Sequence, residues 1–343
     1  MIKIGINGFG RIGRLVCRNV LAMKKQGIKI CVVAINHLRT PEYLAYQFKY
    51  DTVHGNYQGT IEADTNSLII DGMKIYVSHC RDPIDIPWSK TGAEYICECT
   101  GLFKNIEDNN KHLEAGAKKV VISAPPKDNI PMYVMGVNHN EYKGENIISN
   151  SSCTTNCLAP IAEIVNRHFG IEMGLMTTVH SMTANQLTVD GGAKGGKDWR
   201  SGRAASANII PTSTGAAKSV AHVIPELQGK LTGMAFRVPT TNVSVVDLTC
   251  TLKSGNLKDV VKTIREESEK ERYQGIVGLT DEKLVSSDFI GNDCSCILDV
   301  DSCIELDKDK ANANNNMLKL VAWYDNEWAY SKRLVELILV ISN

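Results

Sequence analysis

An apolar run followed directly by three closely spaced glycines constrains the fold of this chain more than any other feature. Ile2–Asn7 predicts a short buried strand, residues 14–25 predict a helix with one apolar face, and residues 28–35 predict a second buried strand. A strand, a glycine-rich turn, a helix and a parallel strand in this order form a βαβ unit. The chain is therefore predicted to begin with an α/β domain built on a parallel sheet.

The glycines of the first turn, Gly8, Gly10 and Gly13, have the spacing G-x-G-x-x-G that is typical of dinucleotide-binding turns. Gly8 permits the tight turn, Gly10 lets the backbone approach a pyrophosphate, and Gly13 allows the helix to pack closely on the strand. The helix that starts near Arg11 points its N–H groups at the phosphates. We therefore predict a dinucleotide site here, the alternative being a glycine-rich turn without a ligand.

The second strand ends without the acidic residue that usually binds the adenosine ribose. Asn36 and His37 stand at this point, and Arg39 follows. A carboxylate there repels a 2′-phosphate, so its absence removes the discrimination against NADP, and Arg39 offers the phosphate a positive partner. The predicted cofactor is therefore NAD or NADP, with NADP use favoured. The alternative is that Asn36 or His37 binds the ribose hydroxyls and NAD is kept.

The pattern of strands and helices changes along the chain. Strands are predicted at Tyr95–Glu98, residues 120–123 and 133–137 and Ile147–Ser149, with a helix at 105–115. Beyond residue 170 the predicted strands are longer and alternate apolar with polar residues, which suits a mostly antiparallel sheet. The fold class predicted is α/β plus α+β. A Rossmann-type dinucleotide-binding domain spans residues 1–152 and is completed by a C-terminal helical segment, 320–343; a mostly antiparallel-sheet catalytic domain spans residues 153–319.

Composition excludes several classes of protein. The formal net charge is +0, so no electrostatic argument favours nucleic acid or an anionic membrane as a partner. No apolar run approaches the about 18 residues of a membrane helix, and no leader precedes the first strand, so a cytoplasmic location is expected. The eleven cysteines are odd in number and include no C-x-x-C, which indicates neither a disulfide framework nor a metal site.

One cysteine stands apart because of its neighbours. Cys153 lies among small hydroxyl residues at the start of an apolar helical stretch, and His180 ends the strand that follows. A helix N-terminus and a nearby histidine both lower the pKa of a thiol and make it a stronger nucleophile. With the dinucleotide site, this pair predicts an enzyme that forms a covalent thiol adduct and then oxidises it.

Five stretches of the chain resemble phosphorylating glyceraldehyde-3-phosphate dehydrogenase, namely residues 6–14, 152–160, 197–200, 229–239 and 323–328. The resemblance implies that an aldehyde, inorganic phosphate and NAD(P) give an acyl phosphate and NAD(P)H. It implies that Cys153 is the nucleophile and that His180 holds the thiolate and takes the hydroxyl proton. The implied partners are glyceraldehyde 3-phosphate, inorganic phosphate and further copies of the chain in a homotetramer.

The same resemblance implies two anion sites and a set of cofactor contacts. Thr183 and Arg237 match the positions that hold the phosphate of the substrate. The pocket for the attacking phosphate is matched by Ser152, Thr154, Thr214 and Gly215, with Arg203 near both sites. Besides Gly8, Gly10, Gly13, Asn36 and His37, the implied cofactor contacts are Arg11, Ile12, Arg81, Thr100, Gly101, Ser123, Asn326 and Tyr330.

Three departures from the family pattern leave alternatives open. The ribose acid is missing, Gly191 and Gly192 replace a usual proline-containing pair before a longer loop, and Ala329 replaces a usual glycine. The first two both relax discrimination against the 2′-phosphate. One competing interpretation is erythrose-4-phosphate dehydrogenase, which hydrolyses its thioester. Another is a thiol redox sensor or nucleotide-binding regulator, against which the intact pair of Cys153 and His180 argues.

Overall fold

The predicted βαβ unit opens the chain in the computed structural model, which describes residues 1–193, 198–306 and 316–342. Strands β1 (Ile2–Asn7) and β2 (Ile30–Asn36) are parallel neighbours, and helix α1 (Arg11–Lys25) connects them. The helix begins at Arg11, directly after Gly10 as its N-cap, so it starts where the glycine-rich turn predicted and includes three residues before the predicted run 14–25. Its N-terminus therefore lies within the glycine-rich turn itself.

The chain divides into two compact units, and the first holds an eight-stranded sheet. The unit comprises Met1–Tyr133, His139–Ser151 and Ser331–Asn343. Its remaining helices and strands are, in chain order, α2 (Pro41–Lys49), β3 (Ile61–Asp64), β4 (Ser67–Ile70), β5 (Met73–Ser78), α3 (Trp88–Thr91), β6 (Tyr95–Glu98), α4 (Ile106–Glu114), β7 (Lys119–Ile122) and β8 (Ile147–Ser149).

The strand order of this sheet is β3-β4-β5-β2-β1-β6-β7-β8, and the six strands from β5 to β8 in this order are parallel. The chain runs from β1 to one side and later returns to place β6 on the other side. The order therefore reverses between β1 and β6, and a crevice outside the carboxyl ends of strands at such a point is where α/β sheets bind ligands. The antiparallel strands β3 and β4 extend one edge.

The second unit comprises Val134–Asn138 and Ser152–Tyr330 and holds the second sheet. Its helices and strands are α5 (Cys153–Phe169), β9 (Ile171–His180), β10 (Ile210–Ser213), α6 (Ala216–Val223), β11 (Leu231–Arg237), β12 (Ser244–Leu252), α7 (Leu257–Ser268), β13 (Val277–Thr280), β14 (Cys296–Asp299), β15 (Ile304–Glu305) and β16 (Met317–Tyr324). The final helix, α8 (Trp328–Ile341), starts in this unit and belongs to the first unit from Ser331 onward.

The second sheet has the order β10-β11-β9-β12-β16-β14-β13, with β15 paired to β16. Most neighbours are antiparallel, as predicted, but β9 and β11 are parallel and so are β13 and β14. In the β9–β11 pair, Arg237 lies directly opposite His180 and Gly233 lies opposite Met176. The register of one strand pair thus brings a guanidinium to the predicted catalytic histidine.

Two predicted elements are wrong in the structure. Residues 133–137 do not form a strand, because Gly136 has a φ of +82° and Arg272 takes the carbonyl oxygens of Gly136 and Val137 at 2.7 Å each. The segment 320–343 is not helical from its start, since its first residues lie in β16 and pair with β12 over the whole of that strand. The helix begins only at Trp328.

The predicted boundary at 152/153 lies one residue from the division between Ser151 and Ser152. The longer loop expected after Gly192 falls largely on residues 194–197, which lie outside the described residues. Lys197, the first residue of one matching stretch, lies outside them too.

Candidate active site

A cavity of about 710 Å³ lies in the first unit at the carboxyl ends of β1, β2, β5 and β6. Its walls include six of the residues predicted to bind the dinucleotide, namely Gly8, Gly10, Asn36, His37, Arg81 and Thr100. Gly101 comes next in the chain, and Ser123 directly follows β7. The predicted residues therefore gather at the strand ends where the order of the sheet reverses.

The three glycines of the first turn fit a dinucleotide pyrophosphate. Gly8 has a φ of +91°, and a Cβ there would lie 2.8 Å from the backbone nitrogen of Thr100. A Cβ on Gly13 would lie 2.1 Å from the carbonyl oxygen of Gly8, whereas one on Gly10 would enter open space. No atom therefore covers the backbone at Gly10 on the side where a side chain would project. The first turn of α1, with Arg11 and Ile12, begins beside it.

Asn36 and His37 are both engaged within the protein. The amide of Asn36 donates to Asn7 Oδ1 at 2.8 Å and to the carbonyl oxygen of Cys80 at 2.9 Å, and its Oδ1 accepts from Ser78 and from the Cys80 backbone. His37 Nδ1 accepts from the backbone N–H of Phe9 at 3.2 Å. Asn36 therefore builds the wall of the cavity, and His37 holds the glycine-rich turn.

The charge around this cavity is positive. Arg39 and Arg81 line it together with His37, and no carboxylate is among the described residues that line it. Burial lowers the pKa of His37, and the nearby charges of Arg14, Arg39 and His79 lower it further. The cavity therefore presents guanidinium groups where an acid would repel a 2′-phosphate.

The side chain of Arg11 is committed to an ion pair. Its guanidinium binds the carboxylate of Asp51 with both nitrogens, at 2.5 and 3.2 Å, and Asp51 also accepts from the backbone N–H groups of Val53 and His54. Burial acts to raise the pKa of Asp51, but these hydrogen bonds outweigh it and the pKa falls to about 2. What Arg11 offers a cofactor is therefore its backbone at the start of α1.

The Arg11–Asp51 pair is expected to make stability sensitive to acid. The folded pKa of Asp51 lies below that of an unfolded aspartate, so its contribution is present above about pH 4 and is lost as the pH falls towards 2. Asp51→Asn should lower the free energy of unfolding by about 2 kcal/mol at pH 7. Urea unfolding at several pH values measures the difference between the two proteins, which should shrink below pH 4; a constant difference would contradict the assignment.

In the second unit, Cys153 is the first residue of α5, and Ser152 caps that helix by accepting from the backbone N–H of Thr155 at 3.0 Å. Small hydroxyl residues are favoured at this position because they satisfy a free backbone donor. The sulfur of Cys153 lies 3.5 Å from His180 Nε2, at the end of β9. The predicted thiol and histidine are therefore in direct contact.

The electrostatics of this pair differ from the prediction. Burial raises the pKa of the Cys153 thiol, although Arg237 and hydrogen bonds involving Thr154 oppose that rise. Burial and the positive charge of Arg237 lower the pKa of His180 to about 3. Both shifts favour the neutral thiol beside a neutral imidazole over the thiolate that the helix N-terminus alone suggests.

The other ring nitrogen of His180 has two neighbours. Nδ1 lies 2.8 Å from the carbonyl oxygen of Ser181 and 2.5 Å from Nη1 of Arg237, which itself donates to the same carbonyl at 3.1 Å. A proton on Nδ1 and donation from Arg237 exclude each other. The first arrangement leaves a lone pair on Nε2 facing Cys153, and the second leaves an N–H there.

A buried tyrosine that the sequence analysis missed contacts two neighbours of the thiol, Thr154 and His180. The hydroxyl of Tyr324, at the end of β16, bonds to the hydroxyl groups of Thr154 at 2.8 Å and of Thr178 at 2.9 Å. Its ring also packs edge-on against His180. Thr154 therefore directs its side chain into the protein interior, and no local pattern in the sequence marks Tyr324 for this role.

Asn326 is held by two further residues that the sequence analysis missed. Its Oδ1 accepts from Ser181 Oγ at 2.9 Å and from Ser244 Oγ at 2.8 Å. With its oxygen occupied, Asn326 has its amide nitrogen as the group that can donate. Tyr330 lies two residues into α8 and is buried, as is Ala329 beside it.

The remaining residues predicted to bind phosphate occupy separate places in the second unit. Thr183 donates to Asn185 in a turn, and the exposed Arg203 pairs with Asp190 at 2.9 Å. Thr214 accepts from the backbone N–H of Ala216, and Gly215 is the N-cap of α6. The helix starts of α5 and α6 thus provide backbone N–H donors, and α5 and α6 pack against each other.

The described residues offer neither a metal site nor a membrane-spanning helix. No group of three or more histidine, cysteine, aspartate or glutamate side chains is placed to hold a metal ion. No helix in the described part of the chain combines the length and apolar character needed to cross a membrane. All eleven cysteines are free thiols.

A dinucleotide-binding α/β unit joined to a second unit that carries a paired thiol and imidazole defines a nicotinamide-dependent oxidoreductase with a cysteine nucleophile. Two family models match the chain: glyceraldehyde 3-phosphate dehydrogenase, NAD binding domain, at residues 2–106, and glyceraldehyde 3-phosphate dehydrogenase, C-terminal domain, at residues 152–326. The chain belongs to the glyceraldehyde-3-phosphate dehydrogenase family, which confirms the resemblance and the predicted fold class.

Relatives from fungi and bacteria match over nearly the whole chain. Glyceraldehyde-3-phosphate dehydrogenase of Neurospora crassa is 53% identical over 344 residues, covering 100% of this chain and 98% of the relative. Glyceraldehyde-3-phosphate dehydrogenase 1 of Kluyveromyces lactis is 52% identical over 339 residues, covering 98% and 99%. Glyceraldehyde-3-phosphate dehydrogenase A of Escherichia coli is 51% identical over 341 residues, covering 99% of each chain.

Proposed function

We propose that the protein oxidises glyceraldehyde 3-phosphate to 1,3-bisphosphoglycerate with NAD or NADP and inorganic phosphate. The single observation that carries this proposal is the contact between Cys153 Sγ and His180 Nε2 at the start of α5, within a family named for that activity. The nicotinamide cofactor supplies the hydride acceptor. Cys153 supplies the nucleophile, His180 supplies the base, and Arg237 supplies a positive charge beside both.

The first step adds the thiol to the aldehyde. A bond forms between Cys153 Sγ and the carbonyl carbon while Nε2 of His180 takes the thiol proton. His180 then passes that proton to the aldehyde oxygen, which becomes the hydroxyl of a hemithioacetal, and Nε2 is again free to act as a base. Nε2 needs a lone pair for this, which it has when Nδ1 donates to Ser181. A substrate phosphate bound by Arg237 would draw that guanidinium from Nδ1 and favour this tautomer.

The next steps oxidise and release the adduct. His180 takes the hydroxyl proton as the carbon loses hydride, which leaves a thioester on Cys153. Inorganic phosphate then attacks the thioester carbonyl, the carbon–sulfur bond breaks, and the sulfur regains its proton from His180. We place the attacking phosphate near Ser152, Thr154, Arg203, Thr214 and Gly215, and the substrate phosphate near Thr183 and Arg237. The two helix starts support this placement because their N–H groups favour anions.

Steady-state turnover tests this proposal against its alternatives. Purified protein with glyceraldehyde 3-phosphate and either cofactor should form reduced cofactor only when inorganic phosphate is present. Turnover that needs no phosphate, and that prefers erythrose 4-phosphate, would instead support a dehydrogenase that hydrolyses its thioester. The absence of turnover with either cofactor would contradict the proposal and favour a regulatory role.

We also propose that NADP is accepted alongside NAD. The contacts that support this are those of the cavity in the first unit, where Arg39 and Arg81 take part in the lining and His37 replaces an acid. In the family pattern Asn326 and Tyr330 contact the nicotinamide, and the free amide nitrogen of Asn326 suits that role. His37 also accepts a hydrogen bond from the backbone N–H of Phe9. It therefore contributes an uncharged side chain to the cavity wall and holds the glycine-rich turn in position.

A negative charge introduced at His37 tests the cofactor preference. His37→Asp should shift the ratio of kcat/KM for NADP over kcat/KM for NAD towards NAD by about 10- to 100-fold, because a carboxylate repels the 2′-phosphate. His37→Asn is the matched control, since it adds no charge and its oxygen can accept from Phe9. An unchanged ratio in His37→Asp would show that the 2′-position is bound elsewhere.

We propose self-association into a homotetramer, as the resemblance implies, through the exposed sheet face that carries Met173 and Leu175. A groove of about 350 Å³ runs across β9, β11 and β12, and Met173 and Leu175 stand beside it more than 60% exposed. An apolar sheet face of this kind is typical of an interface. A cytoplasmic location is also proposed, because eleven free thiols suit a reducing compartment.

A further inference from the structure

A buried carboxylate lies beneath the dinucleotide cavity and takes no part in the proposed chemistry. Glu98, the last residue of β6, is 1% exposed. Its Oε2 accepts from Asn7 Nδ2 at 2.6 Å and lies 3.2 Å from His112 Nε2. Its Oε1 accepts from the backbone N–H of Thr100 at 2.7 Å and from the Thr100 hydroxyl. Each oxygen of the carboxylate therefore serves two donors.

The proton of His112 is assigned by a residue on another helix. The indole N–H of Trp88, in α3, donates to His112 Nδ1 at 3.0 Å, so Nδ1 must carry a lone pair. The ring proton then lies on Nε2 and points at Glu98. Both Trp88 and His112 are 0% exposed. The hydrogen bonds therefore have one direction, from Trp88 through His112 to Glu98, and no Lys or Arg of the described residues forms an ion pair with Glu98.

Asn7 and Thr100, which both donate hydrogen bonds to Glu98, line the cavity. Asn7 ends β1, and Thr100 lies in the loop after β6, on the two strands between which the sheet order reverses. The Thr100 hydroxyl also accepts from the backbone N–H of Leu102 at 3.1 Å, and Leu102 lines the cavity too. Asn7 in turn accepts from Asn36. One carboxylate thus links three strand ends around the cavity.

The Thr100 loop also touches the glycine-rich turn. A Cβ on Gly8 would lie 2.8 Å from Thr100 N and 2.9 Å from the carbonyl carbon of Cys99, so the two backbones are in contact. A shift of Thr100 away from Glu98 would therefore change the space left for the turn that faces the pyrophosphate. Glu98, which does not line the cavity, therefore holds the Thr100 loop in its position.

We propose that Glu98 is a positioning residue for the dinucleotide, holding Asn7 and Thr100 in the arrangement that the cofactor binds, with Trp88 and His112 fixing its donors. The inference rests on the proposed use of this cavity by NAD or NADP. It adds a buried relay to that function, running from α3 and α4 to the cofactor loop. Because both carboxylate oxygens face donors only, an acceptor is required at each of the two positions.

Glu98→Gln keeps the size and shape of the side chain but replaces one of its two hydrogen-bond acceptors with a donor. In either orientation the new amide nitrogen faces an N–H, of Thr100 or of His112 and Asn7, and such a mismatch leaves buried donors without an acceptor. The dissociation constants of NAD and NADP, measured by calorimetry, should rise about tenfold, together with the KM for cofactor, while kcat at saturation stays within about twofold. Amide hydrogen exchange at residues 100–102 should quicken.

Two further variants separate positioning from loss of structure. Glu94→Gln is the matched control, since Glu94 is a half-exposed carboxylate close to β6 that pairs with Lys118. Trp88→Phe removes the donor to His112 and lets the ring present a lone pair to the new amide. The double variant Glu98→Gln with Trp88→Phe should therefore bind cofactor more tightly than the two single effects added together predict.

The outcomes separate this inference from the proposed function. If the wild-type protein binds neither NAD nor NADP, the proposed function fails and the inference fails with it. If the wild type binds and Glu98→Gln binds equally well with unchanged exchange at 100–102, only the inference is overturned. Should Glu98→Gln not fold, His112→Gln tests the same relay, and unchanged cofactor affinity there would overturn the inference as well.

Discussion

Cys153→Ser is expected to lower kcat for phosphate-dependent oxidation of glyceraldehyde 3-phosphate by about 10⁴-fold or more, as the loss of a covalent nucleophile usually does. An alkoxide is much harder to form than a thiolate, and an ester is a poorer acyl donor to phosphate than a thioester. His180 Nε2, 3.5 Å from the sulfur, is matched to the thiol and not to the higher pKa of a hydroxyl. Rapid-quench or steady-state assays of reduced cofactor formation measure the effect.

The chain provides its own control for this experiment. Cys157 lies one helical turn further along α5 and is fully buried, with its thiol directed at the carbonyl of Ala322. Cys157→Ala should keep kcat within a few-fold and cost some stability, because it opens a small cavity. Cofactor affinity should be unchanged in both variants. Equal losses of activity in the two would show that α5 needs its sulfur atoms for structure.

His180→Asn is expected to lower kcat by about 10² to 10⁴-fold, the usual contribution of a general base. The histidine receives the thiol proton and later the hydroxyl proton, and an amide does neither. The same variant should slow alkylation of Cys153 by iodoacetamide at pH 7, since the neutral thiol then has no base beside it. Both rates can be measured on one preparation.

A substitution of Arg237, which lies beside Nδ1 of the His180 ring, tests the assignment of His180 as the base. Arg237→Lys keeps a positive charge near His180 but has no planar pair of donors for the Ser181 carbonyl and a phosphate. It should raise the KM for the aldehyde much more than it slows alkylation. If His180→Asn instead left alkylation unchanged, the thiol would be activated by the helix N-terminus, and the role given to His180 in the first step would be wrong.

Much of the first unit could be predicted because its signals are local. Ile2–Asn7, the glycine spacing and the run at Tyr95–Glu98 each depend on residues that are adjacent in the chain. The strand predicted at residues 133–137 does not form because the competing contact is remote in the chain. Arg272, in the segment between α7 and β13, binds the carbonyls of Gly136 and Val137. No apolar pattern within five residues reveals such a contact.

The candidate site shows the same division between local and remote causes. The cap at Ser152 and the helix start at Cys153 follow from neighbouring residues, and the predicted thiol–histidine pair lies in contact. Burial raises the pKa of Cys153 against the opposing charge of Arg237, and burial and Arg237 together lower the pKa of His180. Arg237 is brought there by strand pairing. Tyr324 and Glu98 also act through tertiary contacts, so a linear pattern has no means of marking them.

The pairing of β9 with β11 makes the placement of Arg237 opposite His180 a matter of strand register. Side chains along a strand alternate between faces, so a slip by one residue would turn Arg237 to the opposite side of the sheet and bring Phe236 opposite the histidine. Gly233, four residues before Arg237, disfavours that slip. A Cβ at this position would lie 2.2 Å from the carbonyl oxygen of Met176, so a slip by one residue would bring a residue with a side chain into this close contact. Gly233, which touches neither Cys153 nor His180, therefore helps to keep Arg237 opposite His180.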